Sequence, residues 1–524
     1  MSTGLKKILL LLLAVLLLVG ASQVQRSLNQ DREQLGITRV EPLENAPPVL
    51  AFTTVALGGF RGLISNALWI RAIDLQDEDK FFEMAQLADW ITKLEPHFVQ
   101  VWLVQSWNMA YNISVKFTDF KDRWRWLSRG IELLRDEGLR YNPHETLIYR
   151  ELAWFFQHKL GQSLDDGHMY YKNQWADAMG KVFGKKTPNL DELINPQTDD
   201  QKERARVLRE KYKMDPEFMK QVDERYGPLE WRLPESSAIY WAALGLKEAE
   251  LNPSKVKPED LITLRRVIYQ SMQMSFQRGR LVVNPFVKPS SPSSPTSTMA
   301  DFGPNLEIIP KVSAAYEQAA EEDKANHDHI LRAHKNFLKD AVYFLYMHNR
   351  LADAAAWYKY LGTKYPNDLL LNGDTNSLPA NLTVDEYSVK RVQEDVEETM
   401  ARDRIKATIE GLLQTAYESL LLGQDEYAAG CRHMAEMIRT TYQSKTSMRK
   451  EALSLEPIEE IQRVVLERLL DPKNGYPPEL RAVLRSKLGM GPEPAVPQTA
   501  SAEGSSTNSP AGATNSVPEK AANQ

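Results

Sequence analysis

At 524 residues, with 43% hydrophobic and 26% charged residues, the chain has the composition of an ordinary folded protein and length for about two to four domain-sized blocks. A net charge of −6 with no concentrated basic face argues against a nucleic-acid binder. The single cysteine, Cys431, excludes an internal disulfide framework and a cysteine-built zinc site.

Lys6 and Lys7 precede an unbroken apolar run, Ile8 to Val19, continued by Gly20 and Ala21. A short positive segment before such a run has the form of a signal peptide or signal anchor, residues 1–26. Residues 5–24 reach about the 20 positions that a helix needs to cross a lipid bilayer. Val19-Gly20-Ala21 also suits cleavage after Ala21; the expectation here is a retained anchor. Lysines stay on the cytoplasmic side, which places the chain beyond Arg26 across the membrane.

Residues 27–48 are polar and read as a stem. Residues 49–183 form an aromatic-rich helical block, with eight of the eleven tryptophans between Trp69 and Trp175. Its first stretch, Val49 to Ile70, is apolar but broken by Gly58, Gly59, Arg61 and Gly62, so a helix packed near the membrane or into the domain fits better than a second span. Residues 184–283 read as a charged helical insert followed by a helical hairpin. Residues 284–304 are rich in proline and serine, a linker or long loop. Helices resume over 305–488, and residues 489–524 have the composition of a disordered tail. Apolar residues recur at helical spacing and strand signals are nearly absent, so the expected fold is all-α.

The most regular stretch is "FLKDAVYFLYMHNRLADAAAWYKYLGTKYPND", Phe337 to Asp368. Phe337, Leu338, Ala341, Val342 and Leu345 mark one helix face, and Leu351, Ala354, Ala355, Tyr358 and Leu361 a second, with His348-Asn349-Arg350 at the turn. Pro366 ends the pair. The small residue Ala354, the aromatic Tyr358 and the closing Pro366 make this unit resemble a tetratricopeptide repeat (TPR), with Asn349 where that family usually has glycine. Weaker echoes close at Pro96, Pro143 and Pro253. Intervals of 47, 110 and 113 residues between the four prolines are not multiples of the family's period of about 34, so the repeats are degenerate. The resemblance implies a helical-repeat solenoid behind the N-terminal helix. "ALGGFRGLISNALWIRAIDLQ" running into "LADWITKLEPHF" also resembles a group of bacterial membrane-anchored repeat proteins of unassigned activity. With the charge rule, that implies a single-pass protein of the bacterial inner membrane, its bulk periplasmic.

Solenoids bind partners in a groove lined by the first helix of each pair. In "FVQVWLVQSWNMAYNIS", Gln105, Asn108 and Asn112 share a helix face flanked by Trp102, a pattern able to grip an extended backbone. A packed Trp102 and Trp107 with solvated or capping amides is the simpler reading of the same residues. Lys335, Lys339 and Tyr343 line the matching face of the best repeat, where a charged solvent face is the alternative. Asp323 and His327 are four apart, as metal ligands on a helix are, but neither His329 nor His334 completes a set. His158 and His168 flank Asp165 and Asp166, and Cys431 and His433 face different ways. "GKVFGKKT" (Gly180–Thr187) has the wrong spacing for a phosphate loop, and "DFG" (Asp301–Gly303) lacks the rest of a kinase. No cofactor or metal site is therefore expected. The reading is a non-enzymatic scaffold that binds another envelope protein. Its alternatives are an envelope enzyme with a site in the charged insert, and a small-ligand receptor in the aromatic-rich block.

Overall fold

A computed structural model describes residues 3–34, 60–162, 164–184, 188–253, 256–282, 301–397, 402–446, 455–472 and 475–491. The described chain is mostly helical, as the periodicity predicts. Its one sheet, among these residues, is an antiparallel pair of three-residue strands, β1 Arg280–Val282 and β2 Asp301–Gly303. That ladder joins the two ends of the Pro/Ser-rich segment, whose residues 284–300 lie outside the described set, as do most of the stem and all but the first residues of the tail.

The chain divides into two compact units, Met1–Phe344 with Ala356–Asn367, and Leu345–Ala355 with Asp368–Gln524. The first begins with α1, Thr3–Gln34, and α2, Phe60–Asp77. Among the described residues no helix is long and apolar enough to cross a membrane. The expected span, residues 5–24, lies on α1, where the side chains of residues 5–11, 13 and 18 are outside the described set.

Next come α3, Phe81–Leu94, and α4, Val99–Trp107, the latter prolonged by a π-helical segment, Asn108–Ile113. Then α5, Phe120–Glu132, runs into a π segment, Leu133–Gly138, and α6, Thr146–Trp154, into another, Phe155–Gly161. π segments are rare and concentrate where side chains must be re-aimed. Beyond them lie α7 (His168–Phe183), α8 (Asp199–Glu210), α9 (Pro216–Tyr226), α10 (Pro234–Leu251), α11 (Pro258–Arg278) and α12 (Ile309–Glu322). Local chemistry fixes several starts. Thr198 and Gln201 form a reciprocal capping box on α8, Asp215 caps α9, and proline opens α9, α10 and α11.

α13, His327–Met347, and α14, Leu351–Lys364, form the hairpin expected from the best repeat, although α13 starts ten residues before Phe337. Asn349, at its turn, has a φ of 60°, the left-handed geometry that asparagine tolerates. Phe337, Leu338, Ala341, Val342, Leu345, Ala354, Tyr358 and Leu361 are buried, but Leu351 and Ala355 are exposed. The buried stripe of α14 is thus narrower than the spacing predicts.

The second unit contains α15, Val384–Glu397, α16, Arg402–Leu421, α17, Asp425–Thr446, α18, Ile458–Leu470, and α19, Pro478–Lys487. α16 and α17 make its central hairpin, turning at Gly423 with a φ of 71°. Gly430 lets α17 approach the 345–355 segment, because a Cβ there would collide with the Met347 carbonyl oxygen.

Candidate functional site

Two stretches of the first unit repeat each other at an interval of 47 residues. Pro96 and Pro143 each end a helical stretch, and six residues on the Trp102 Nε1–H donates to the Pro96 carbonyl (2.8 Å) and the Tyr149 hydroxyl to the Pro143 carbonyl (2.7 Å). Trp107 and Trp154 then occupy equivalent places, each just before a π segment. A π turn encloses one more residue than an α turn, and here residues four apart meet face to face. Trp107 stacks on Tyr111 with ring centroids 4.1 Å apart, and Trp154 on His158 at 4.6 Å. The two stretches join where the Tyr111 hydroxyl meets His158 Nδ1 at 3.0 Å.

The residues singled out by sequence have mixed placements. Trp102, Gln105 and Asn108 are buried. Gln105 donates to the Ala85 carbonyl (2.9 Å) and Asn108 to the Phe81 carbonyl (3.3 Å), so both amides tie α4 and its π segment to α3. Asn112 is half-buried in the π segment. Lys335, Lys339 and Tyr343 are half-buried along one face of α13.

None of these seven lines the larger groove of the unit. That groove, about 740 Å³, lies along α5 and α7, with Lys211 and Tyr212 beyond the end of α8. Trp124, Trp126, Tyr170, Trp175 and Tyr212 supply its rings; Trp124 stacks on Tyr171 at 6.2 Å and Trp175 meets Tyr212 edge-on at 5.7 Å. Six cationic side chains line it against two carboxylates, Glu132 and Asp177. Arg125, Arg129 and Arg135 are paired with Asp122, Glu137 and Asp136. Among the described residues Lys121, Lys181 and Lys211 join no ion pair. Two side-chain atoms of lining residues, Ser128 Oγ and Trp175 Nε1, are buried with no hydrogen-bond partner. Such orphans are uncommon and require a cause. A smaller cavity of about 340 Å³, between α9, α10, α11 and α12, has no such atoms among its lining residues.

The signal for this groove is present locally. Lys121, Trp124 and Ser128 follow i, i+3, i+7 on α5, and Tyr170, Gln174, Ala178 and Lys181 follow i, i+4, i+8, i+11 on α7. Nothing local says that the two faces meet, or that Lys211 and Tyr212 join them.

Beside the groove helices runs a buried polar network. Asp165 accepts from Lys159 (2.5 Å), the Gly167 N–H (2.8 Å) and the Tyr171 hydroxyl (3.2 Å). Burial pushes its carboxyl up, but the Lys159 ammonium and the Gly167 N–H outweigh that and hold it below the usual range. Burial lifts Glu151 to about 7, against the pull of Arg150. Lys172 and Glu235 form an ion pair with both side chains almost wholly buried, and Glu235 Oε2 has no hydrogen-bond partner. The turn between His158 and His168 is thus organised by a carboxylate and its donors.

His327 meets Asp328 at 3.1 Å, while Asp323 takes Arg266 and Asn326. Among the described residues no three His, Cys, Asp or Glu gather as a metal site would need. Cys431 is buried, which raises its thiol. No protein-family model, curated protein or solved structure matches the chain.

Proposed function

We propose that the chain is a membrane-anchored scaffold that holds another protein at the extracytoplasmic face of a bacterial inner membrane, through a TPR-like array of helical hairpins. The observation that carries this reading is the 740 Å³ groove, whose rings, lysines and orphan hydrogen-bonding atoms are binding chemistry. Volumes of this size are ordinary for ligand sites, which span about 300–1,000 Å³.

The repeat geometry supports the same reading. Tyr149, Leu152, Ala153 and Phe156 stand at the spacing of the W-x2-L-G-x2-Y helix of tetratricopeptide units. Anchoring is supported by surface that no protein atoms cover: α1 exposes Leu12, Val15, Leu16, Leu17, Val19 and Val24, and α2 exposes Leu63, Ile70 and Ile73. Exposed apolar surface of this kind marks contact with lipid or a partner.

Crosslinking in intact membranes, comparing the full chain with one lacking residues 1–26, tests the proposal. We expect the full chain to resist extraction by high salt and to capture the same protein reproducibly, and the truncated chain to wash off. Equal retention of both forms, or no capture by either, would sink the reading.

A further inference from the structure

The structure assigns the groove between α5 and α7 to an extended acidic peptide segment of the partner; this rests on the scaffold reading and narrows it. Three observations select that occupant. Lys121 and Lys181 stand exposed on the lining of α5 and α7, and Lys211 stands beyond α8 with its ammonium 5.3 Å from the centre of the Tyr212 ring. None of the three joins an ion pair among the described residues, although burial raises the carboxyl of Asp177, also on the lining, and Lys181 is near enough to draw it down; a partner's carboxylates would meet lysines that no close ion pair holds. The arginines on the same lining are taken by Asp122, Glu137 and Asp136, which leaves the lysines as the determinants of charge preference.

The floor selects a peptide. Trp175 Nε1 can only donate, and Ser128 Oγ can donate or accept; both are covered and unpartnered, so an occupant meets them once the side chains over them turn aside. A backbone carbonyl satisfies the first, and a backbone N–H or carbonyl the second. Those are the groups that an extended segment presents along its length. The rings of Trp124 and Tyr212 offer apolar walls for the alternate side chains. A small anion would use the lysines but leave the two orphans 'unmet' together with the rings.

The test uses the full chain in detergent micelles and three fluorescein-labelled decapeptides, alternating leucine with glutamate, glutamine or lysine, read by fluorescence anisotropy. We expect the glutamate peptide to bind at least tenfold more tightly than the other two, with affinity falling as salt rises. Reversing charge with Lys181→Glu and Lys211→Glu together should remove that preference. Ser128→Ala removes a hydroxyl that has no partner, so the melting temperature should hold or rise while affinity falls about fivefold. Equal binding of the three peptides, or an unchanged affinity in Ser128→Ala, overturns the assignment. If membrane crosslinking still captures a partner after Lys181→Glu and Lys211→Glu, the scaffold survives and the acidic-peptide assignment falls. Inorganic phosphate competing as well as the peptide would likewise overturn it in favour of a simple anion site.

Discussion

At the scale of single residues, two buried groups give measurable consequences. His334 is fully buried, with Ser313 Oγ at 2.9 Å from Nε2 and the Tyr365 hydroxyl at 2.8 Å from Nδ1. Burial, opposed by Glu317, lowers its pKa from 6.5 to about 4. Between those values the unfolded chain binds a proton at this ring and the folded chain does not, so stability falls as pH falls through the window. The loss is on the order of 3 kcal/mol. Urea unfolding at pH 7 and pH 4.5 should show a flatter pH dependence in His334→Gln; an identical slope would refute the assignment. Lys172 and Glu235 behave differently, because each neutralises the other away from water. Lys172→Met alone leaves a buried carboxylate and should cost about 3–5 kcal/mol, and adding Glu235→Leu should restore much of that. Additive losses in the double variant would show that the pair is not coupled. Neither environment is readable in the sequence. The amides of Gln105 and Asn108 make the same point: spacing places them on one face, but the carbonyls that claim them, Ala85 and Phe81, lie on an earlier helix.

At the scale of elements, turns and hairpins were the legible part. Asn349 between two apolar periodicities announces a left-handed turn, and it is one. Asn349→Gly should therefore be neutral or mildly stabilising, whereas Asn349→Val should cost about 1–2 kcal/mol; thermal melts of both variants decide this, and equal melting temperatures would contradict it. Gly430 was not legible as special, since α17 would be helical with any residue there. Its Cβ would collide with the Met347 carbonyl, so Gly430→Ala should lower the melting temperature sharply while leaving helix content in the rest of the chain. A melting curve indistinguishable from the parent would mean that the close approach is not made. The 47-residue repeat was visible as a proline interval, but its content was not. Shared spacing from proline to an aromatic donor becomes meaningful only once Trp102 and Tyr149 are seen bonding to Pro96 and Pro143. The π segments, six or seven residues each, are too short to leave a period of their own.

At the scale of the whole molecule, composition yielded the helical class and the aromatic block, because both are sums over many residues. The division into units was less accessible. The Pro/Ser-rich stretch reads as a break, yet β1 and β2 pair on either side of it within the first unit, while the boundary between units falls inside the regular α13–α14 hairpin. An all-helical chain has no composition shift at such a point, since one amphipathic hairpin resembles the next. The groove illustrates the same limit, drawing its lining from α5, α7 and a loop some thirty residues beyond α7. The central claim is that this groove holds a partner while α1 holds the chain at the membrane. Its most direct test is a photo-crosslinking residue in place of Tyr170, on the groove lining, in the anchored chain, compared with the same residue in place of Lys257, which does not line it. The account predicts one partner crosslinked from the groove position, lost when Lys181→Glu and Lys211→Glu are added. Equal crosslinking from both positions, or a groove crosslink indifferent to the charge reversals, would contradict it.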